Sequence, residues 1–181
     1  MHRSTLVFTI LLSLSTCIAP VGAAEPEGAR KILETAVKEA EASHRPVFLI
    51  FHASWCTWCK KLDAVIETSD VKKLIDAHYV VVHLDVQERG EKIQALENPG
   101  GREIMSDLGG SDSGLPFYAF LDGKGKKIAD SMIEGPKNEN IGFPGSELEI
   151  ALFDRLLKET APRMSADERA LVTKHFPRQG T

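Results

Sequence analysis

The stretch Val47-Phe48-Leu49-Ile50-Phe51-His52-Ala53-Ser54-Trp55-Cys56-Thr57-Trp58-Cys59-Lys60 decides how the rest of the chain is read. Its first six residues are an apolar run ending in His52 and do not alternate, the pattern of a strand covered on both faces. A C-x-x-C pair follows at once, and then Leu62, Val65 and Ile66 recur at helical spacing. The pair therefore lies where a buried strand gives way to a helix, with Cys56 at the helix start. Unpaired backbone N–H groups and the helix dipole favour an anion there. A Cys56 thiolate is stabilised by that position, and its pKa falls below the free value of about 8.5. Cys59 lies about one turn further on the same face, within reach of the Cys56 sulfur but more buried and less acidic. That asymmetry predicts disulfide exchange: Cys56 attacks a disulfide, and Cys59 resolves the mixed disulfide. Thr57 and Trp58 between the sulfurs tune the balance, while Trp55 and Trp58 offer apolar contact area around it.

Working outward, Ala29, Ile32, Leu33, Ala36, Val37 and Ala40 form one face of a helix that ends by Pro46. Residues 79–86 are a second apolar strand, so the helix between the two strands makes a right-handed βαβ unit. Residues 87–114 are irregular, with a short helix expected over 103–108. Phe117-Tyr118-Ala119-Phe120-Leu121 pairs with residues 126–133 across Asp122-Gly123-Lys124-Gly125, a strong hairpin signal. Residues 135–145 read as a loop. Ser146 with Glu149 is a capping box that opens a helix turning Leu148, Leu152, Phe153 and Leu156 to the core, and a last short helix is expected near 167–174. The fold class is α/β: a mixed sheet, part parallel and part antiparallel, flanked by helices.

Residues 1–24 have the pattern of a signal peptide: His2 and Arg3 first, an apolar run over 6–18, then small residues at Val21, Ala23 and Ala24. The expected division is signal peptide 1–24, domain 25–162 and a C-terminal extension 163–181. Export to the periplasm or the extracellular space follows, with no stable membrane span in the mature chain. The alternative is a lipid anchor through Cys17, since Leu14-Ser15-Thr16-Cys17 loosely resembles a lipoprotein processing site. Of three cysteines, Cys17 lies in the leader, so the exported part keeps one pair. A bridge across two residues restrains almost nothing in the unfolded chain, which makes reactivity the better explanation. The formal net charge of −4 argues against nucleic acid and against an anionic membrane surface.

Residues 47–60 resemble the active-site strand and loop of the thioredoxin superfamily, most closely its exported members with a Trp-Cys-x-x-Cys-Lys core. Leu115-Pro116, ahead of the hairpin, matches the place of that family's cis-proline. The resemblance covers roughly residues 30–160. It implies a thioredoxin-like fold and a thiol–disulfide oxidoreductase with Cys56 and Cys59 as the catalytic, redox-disulfide pair. Trp55, Thr57, Trp58, Leu115 and Pro116 then contact substrate, with Leu115 holding it through its backbone. Protein disulfides or dithiols, and an unidentified electron donor or acceptor, are the implied partners, and the sulfur pair needs no cofactor. Two departures stand out. Ile50 occupies the position where many thioredoxins carry a buried acid, and the longer 87–114 segment, with the loop 134–145, reshapes the groove.

Other readings stay beside this one. Cys56 and Cys59 with His52 or His83 make a candidate copper or zinc site, the chemistry of a metal-handling chaperone, although a structural zinc normally takes four ligands. A binding module without turnover is a third. His52 reads as a strand-end histidine with an ordinary hydrogen bond, or as a group that stabilises the Cys56 thiolate or shuttles protons. Asp63 and Glu67 read as solvated charges on a helix face.

Overall fold

The computed structural model describes residues 26–133 and 139–177. The leader and Cys17 therefore lie outside the described residues. In chain order the elements are α1 (Ala29–Ser43), β1 (Val47–His52), α2 (Thr57–Ile66), α3 (Ser69–His78), β2 (Val80–Asp85), α4 (Lys92–Leu96) and α5 (Gly101–Asp107). Then follow β3 (Phe117–Leu121), β4 (Lys127–Asp130), β5 (Met132–Ile133), β6 (Glu139–Asn140), α6 (Glu147–Thr160) and α7 (Ala166–Thr173).

Four strands form a sheet in the order β2-β1-β3-β4. β1 runs parallel to β2 and antiparallel to β3, which is the expected mixed sheet. The period-two geometry of a strand sorts its side chains between two cores. Val47, Leu49 and Phe51 join α1 and α5 on one side. Phe48 and Ile50 join Leu62, Val65 and Ile66 of α2 and Phe153, Leu156 and Leu157 of α6 on the other. Helices cover both faces of β1, which is why its sequence is apolar from Val47 to Phe51.

β2 differs from its sequence reading. It is an edge strand whose burial alternates, with Val80, Val82 and Leu84 in the α1 core and His83 and Asp85 at alternate positions on the α2 side. The segment after it holds one helix that its composition concealed: α4 is five residues long and buries none of them. The hairpin turn is held by Asp122 Oδ1, which accepts from the backbone N–H groups of Lys124 and Lys126 at 2.9 Å each. β4 stops at Asp130, and β5 turns away to pair with β6, so part of the expected loop is strand; residues 134–138 lie outside the described residues. Ser146 and Glu149 form the capping box of α6, but Leu148 is 68% exposed rather than core-facing. Beyond α6, Met164, Val172 and Phe176 are buried in the same core as α2 and β1.

Candidate active site

β1 delivers the chain to the site. After His52 comes a tight turn closed by a hydrogen bond from the Cys56 N–H to the Ala53 carbonyl (3.0 Å). Cys56 is the N-cap of α2, and its Sγ accepts the Cys59 backbone N–H at 3.1 Å. A sulfur thus occupies the position where helix N-termini accept negative charge. Cys56 and Cys59 are joined by a disulfide with Cα atoms 5.3 Å apart. Both are buried and pack with Ala53 against Leu115. The Leu115–Pro116 peptide bond is cis. Residues 59 apart in sequence, Cys56 and Leu115, therefore share one small cluster.

The two tryptophans are held differently. Trp55 Nε1 donates to the Gln87 carbonyl at 2.8 Å, and the Arg89 guanidinium lies 3.8 Å from its ring centroid. Between those residues Glu88 is almost fully buried, 3% exposed. Its carboxylate accepts the Ser54 backbone N–H and, at 2.9 Å, the Ser54 hydroxyl. Lys92 Nζ also donates to Ser54 Oγ, at 3.1 Å. Three consecutive residues after β2 therefore grip the two that precede Cys56. Trp58 instead stacks on Phe143, centroids 5.8 Å apart and planes inclined by 24°, with Lys61 Nζ 4.1 Å from its ring centroid. Phe143 in turn meets Phe176 at 5.6 Å. Thr57 is exposed at the start of α2.

Asn140 ties this second side to the proline loop. Its Nδ2 donates to the carbonyls of Gly114 (2.7 Å) and Pro116 (2.9 Å), and its Oδ1 accepts the Gly142 N–H at 3.0 Å. Gly142 has φ +58°, a left-handed conformation that glycine adopts without penalty.

Where β1, β2 and α2 come together, four titratable side chains meet. His83 Nε2 lies 3.1 Å from Asp63 Oδ1, His52 Nδ1 3.8 Å from Asp63 Oδ2, and His52 Nε2 3.4 Å from Asp85 Oδ1. The two imidazole centroids are 4.9 Å apart. Burial works against charge on His52, but Asp63, Asp85 and Glu88 outweigh it and raise its pKa. Burial likewise works against a charged Asp63, yet both histidines hold its carboxyl well below the usual carboxylate range. Burial raises the pKa of Asp85, offset in part by His52. Asp63 is thus no solvated helix charge, contrary to its sequence reading. Glu67 is an exposed partner of Lys72 at 3.1 Å. The histidines considered for a metal face these carboxylates, and among the described residues no group of three or more His, Cys, Asp or Glu is placed to hold a metal ion.

The structure thus brings Cys56, Cys59, Trp55, Trp58, Leu115 and Pro116 to one place. Sequence reasoning missed Glu88, Asn140 and the partnership of Asp63. The available signals were an acid just beyond an apolar strand, and an Asn-x-Gly within the stretch that reads as a loop.

A family model described as thioredoxin-like matches residues 29–123. The thiol:disulfide interchange protein DsbD of Photorhabdus laumondii is 30% identical over 99 residues, covering 51% of this chain and 14% of that protein. The chain thus corresponds to a small part of that relative. Among solved structures, a disulphide isomerase from Xylella fastidiosa Temecula1 has TM-score 0.49 and 21% identity, covering 90% of this chain and 98% of its own. The DsbD C-terminal domain of Neisseria meningitidis in the oxidised form has TM-score 0.43 and 21% identity, covering 58% and 84%.

Proposed function

This chain belongs to the thioredoxin-like family, and from that premise we propose that it is a thiol–disulfide oxidoreductase acting through Cys56 and Cys59. The observation that carries the proposal is the Cys56 sulfur at the N-cap of α2, accepting the Cys59 N–H at 3.1 Å while bonded to the Cys59 sulfur one turn away. In the reduced protein the same N–H and helix end stabilise a Cys56 thiolate. That thiolate attacks a substrate disulfide, and Cys59 then attacks Cys56, releasing the substrate thiol and restoring the pair; the reverse sequence oxidises a dithiol.

Substrates are protein disulfides or dithiols, held beside Leu115 and Pro116 and between Trp55, Thr57 and Trp58; a separate electron donor or acceptor resets the pair. The packing of Leu115 against the cluster that holds both cysteines supports this assignment. The pattern of residues 1–24 supports export to the periplasm or beyond the cell, and no helix among the described residues is long and apolar enough to cross a membrane. Insulin reduction driven by dithiothreitol tests the reading. The wild-type protein should accelerate precipitation of the insulin B chain and Cys56→Ser should not; equal rates would overturn the proposal.

A further inference from the structure

Cys59 must give up a proton whenever it closes the pair, and take one back whenever the pair opens. Resting on the exchange reading above, we propose that the cluster of His52, Asp63, His83 and Asp85 is the proton exchanger for Cys59. In it His52 accepts and returns the proton, and Asp63 orients the two imidazoles. Asp63 follows Cys59 by four residues on α2, so the two side chains are neighbours on one face, with Cβ atoms about 5–6 Å apart. His52 directly precedes Ala53, which shares a small buried cluster with Cys56 and Cys59. It shares a face of β1 with Phe48 and Ile50, the face that meets α2. In the parallel register His52 lies opposite Asp85 and Ile50 opposite His83, so β2 supplies its two polar groups to the same space. The groups facing His52 are Asp63 from α2, His83 and Asp85 from β2, and Glu88 from the segment after β2.

The division of labour follows from the charges. Asp63 stays ionised across the working range and so fixes the imidazoles without itself taking a proton. His52 changes charge where histidines do, displaced upward by its carboxylates. In the closing step the Cys59 S–H bond breaks and its proton passes to neutral His52, directly or across one water. The sulfur electron pair forms the bond to Cys56 Sγ, the bond from Cys56 to the substrate sulfur breaks, and the substrate leaves as a thiolate. In the opening step the leaving Cys59 thiolate takes the proton back. His52 accepts only when neutral, so closure accelerates as pH rises through its raised pKa, with an inflection above histidine's ordinary value of about 6.5.

Stopped-flow reaction of the reduced full-length protein with 5,5′-dithiobis(2-nitrobenzoic acid) separates the two steps. A first coloured thiolate is released when Cys56 attacks, and a second when Cys59 closes the pair. From mildly acidic to mildly alkaline pH, His52→Gln should slow the second release at least about tenfold and remove its inflection. The first release should change less than about twofold. Asp63→Asn should move the inflection downward, because the carboxylate that raises the histidine is gone. If His52→Gln loses its native circular dichroism, Asp63→Asn and Asp85→Asn decide, both expected to lower the inflection. A wild-type second phase in these variants, or equal slowing of both phases, overturns the proposal. A wild-type first phase no faster than an ordinary thiol would instead count against the exchange reading, while the second phase still judges the proton exchanger.

Discussion

The disulfide has two flanks, and they are built from different physics. On one, Ser54 and Trp55 are gripped by Gln87, Glu88 and Arg89 through hydrogen bonds and a cation over a ring. On the other, Trp58 rests on Phe143, which rests on Phe176 near the end of the described chain. The first grip is short and polar, and it acts on the backbone directly ahead of the Cys56 sulfur. The second is an outcrop of the hydrophobic core, continuous with α6 and α7. The polar flank should therefore govern the ionisation and placement of Cys56. The aromatic flank should govern stability and the rigidity of the surface around Trp58.

The largest effect belongs to the aromatic flank. Phe143 is 7% exposed and packed among core side chains, and truncating a buried phenylalanine costs about 3–5 kcal/mol. Phe143→Ala should fall toward the lower end, since one side of the ring faces the partly exposed Trp58. Urea unfolding should show that loss, together with altered tryptophan emission, while the rate of Cys56 alkylation stays within about twofold. A loss below about 1 kcal/mol would mean that the core does not extend to Trp58.

Glu88 comes next. Hydrogen bonds to a charged group contribute about 1.5–3 kcal/mol, and Glu88→Ala leaves the Ser54 N–H without its carboxylate. A destabilisation in that range is expected, with changed Cys56 alkylation as well. Glu88→Gln sharpens the comparison because it keeps an acceptor and removes the charge. Taking a negative charge away from the neighbourhood of Cys56 favours the thiolate, so alkylation at neutral pH should be faster than in the wild-type protein. Unchanged alkylation in both variants would remove the polar flank from the chemistry.

What the sequence made legible on these flanks was local. The non-alternating β1, the C-x-x-C at a helix start, Leu115-Pro116, the Asp-Gly hairpin and the Ser146–Glu149 box each write their signal within a few residues. The partnerships did not, because periodicity separates core from solvent but does not say which polar groups meet. Glu88 reaches Ser54 across 34 residues and Asn140 reaches Gly114 across 26. Asp63 was legible as a charge between buried positions of α2, but His83, its partner, comes from β2, 20 residues on. The alternation of His83 and Asp85 with Leu84 was the available clue that β2 is an edge strand, and four valines hid it. Leu148 misled in the opposite sense, since an apolar residue in the first turn of a surface helix need not face inward.

The smallest effect tests whether the polar flank owes its hold to Glu88 or to the arginine beside it. Arg89 lies over Trp55, which is 38% exposed, and at exposed sites such a contact is worth about 0.5–1 kcal/mol. Trp55 also keeps its Nε1 bond to Gln87 when the guanidinium is removed. Arg89→Ala should therefore cost less than about 1 kcal/mol and appear mainly as a shift in tryptophan emission. Lys61→Ala is the matched change on the other flank and should cost less still. Trp58 retains its stack on Phe143, and an ammonium is a more strongly hydrated, less planar partner than a guanidinium. If Arg89→Ala instead matched Glu88→Ala in stability and in Cys56 reactivity, the hold on Ser54 and Trp55 would be a single ionic unit. The buried carboxylate would then have no separate role.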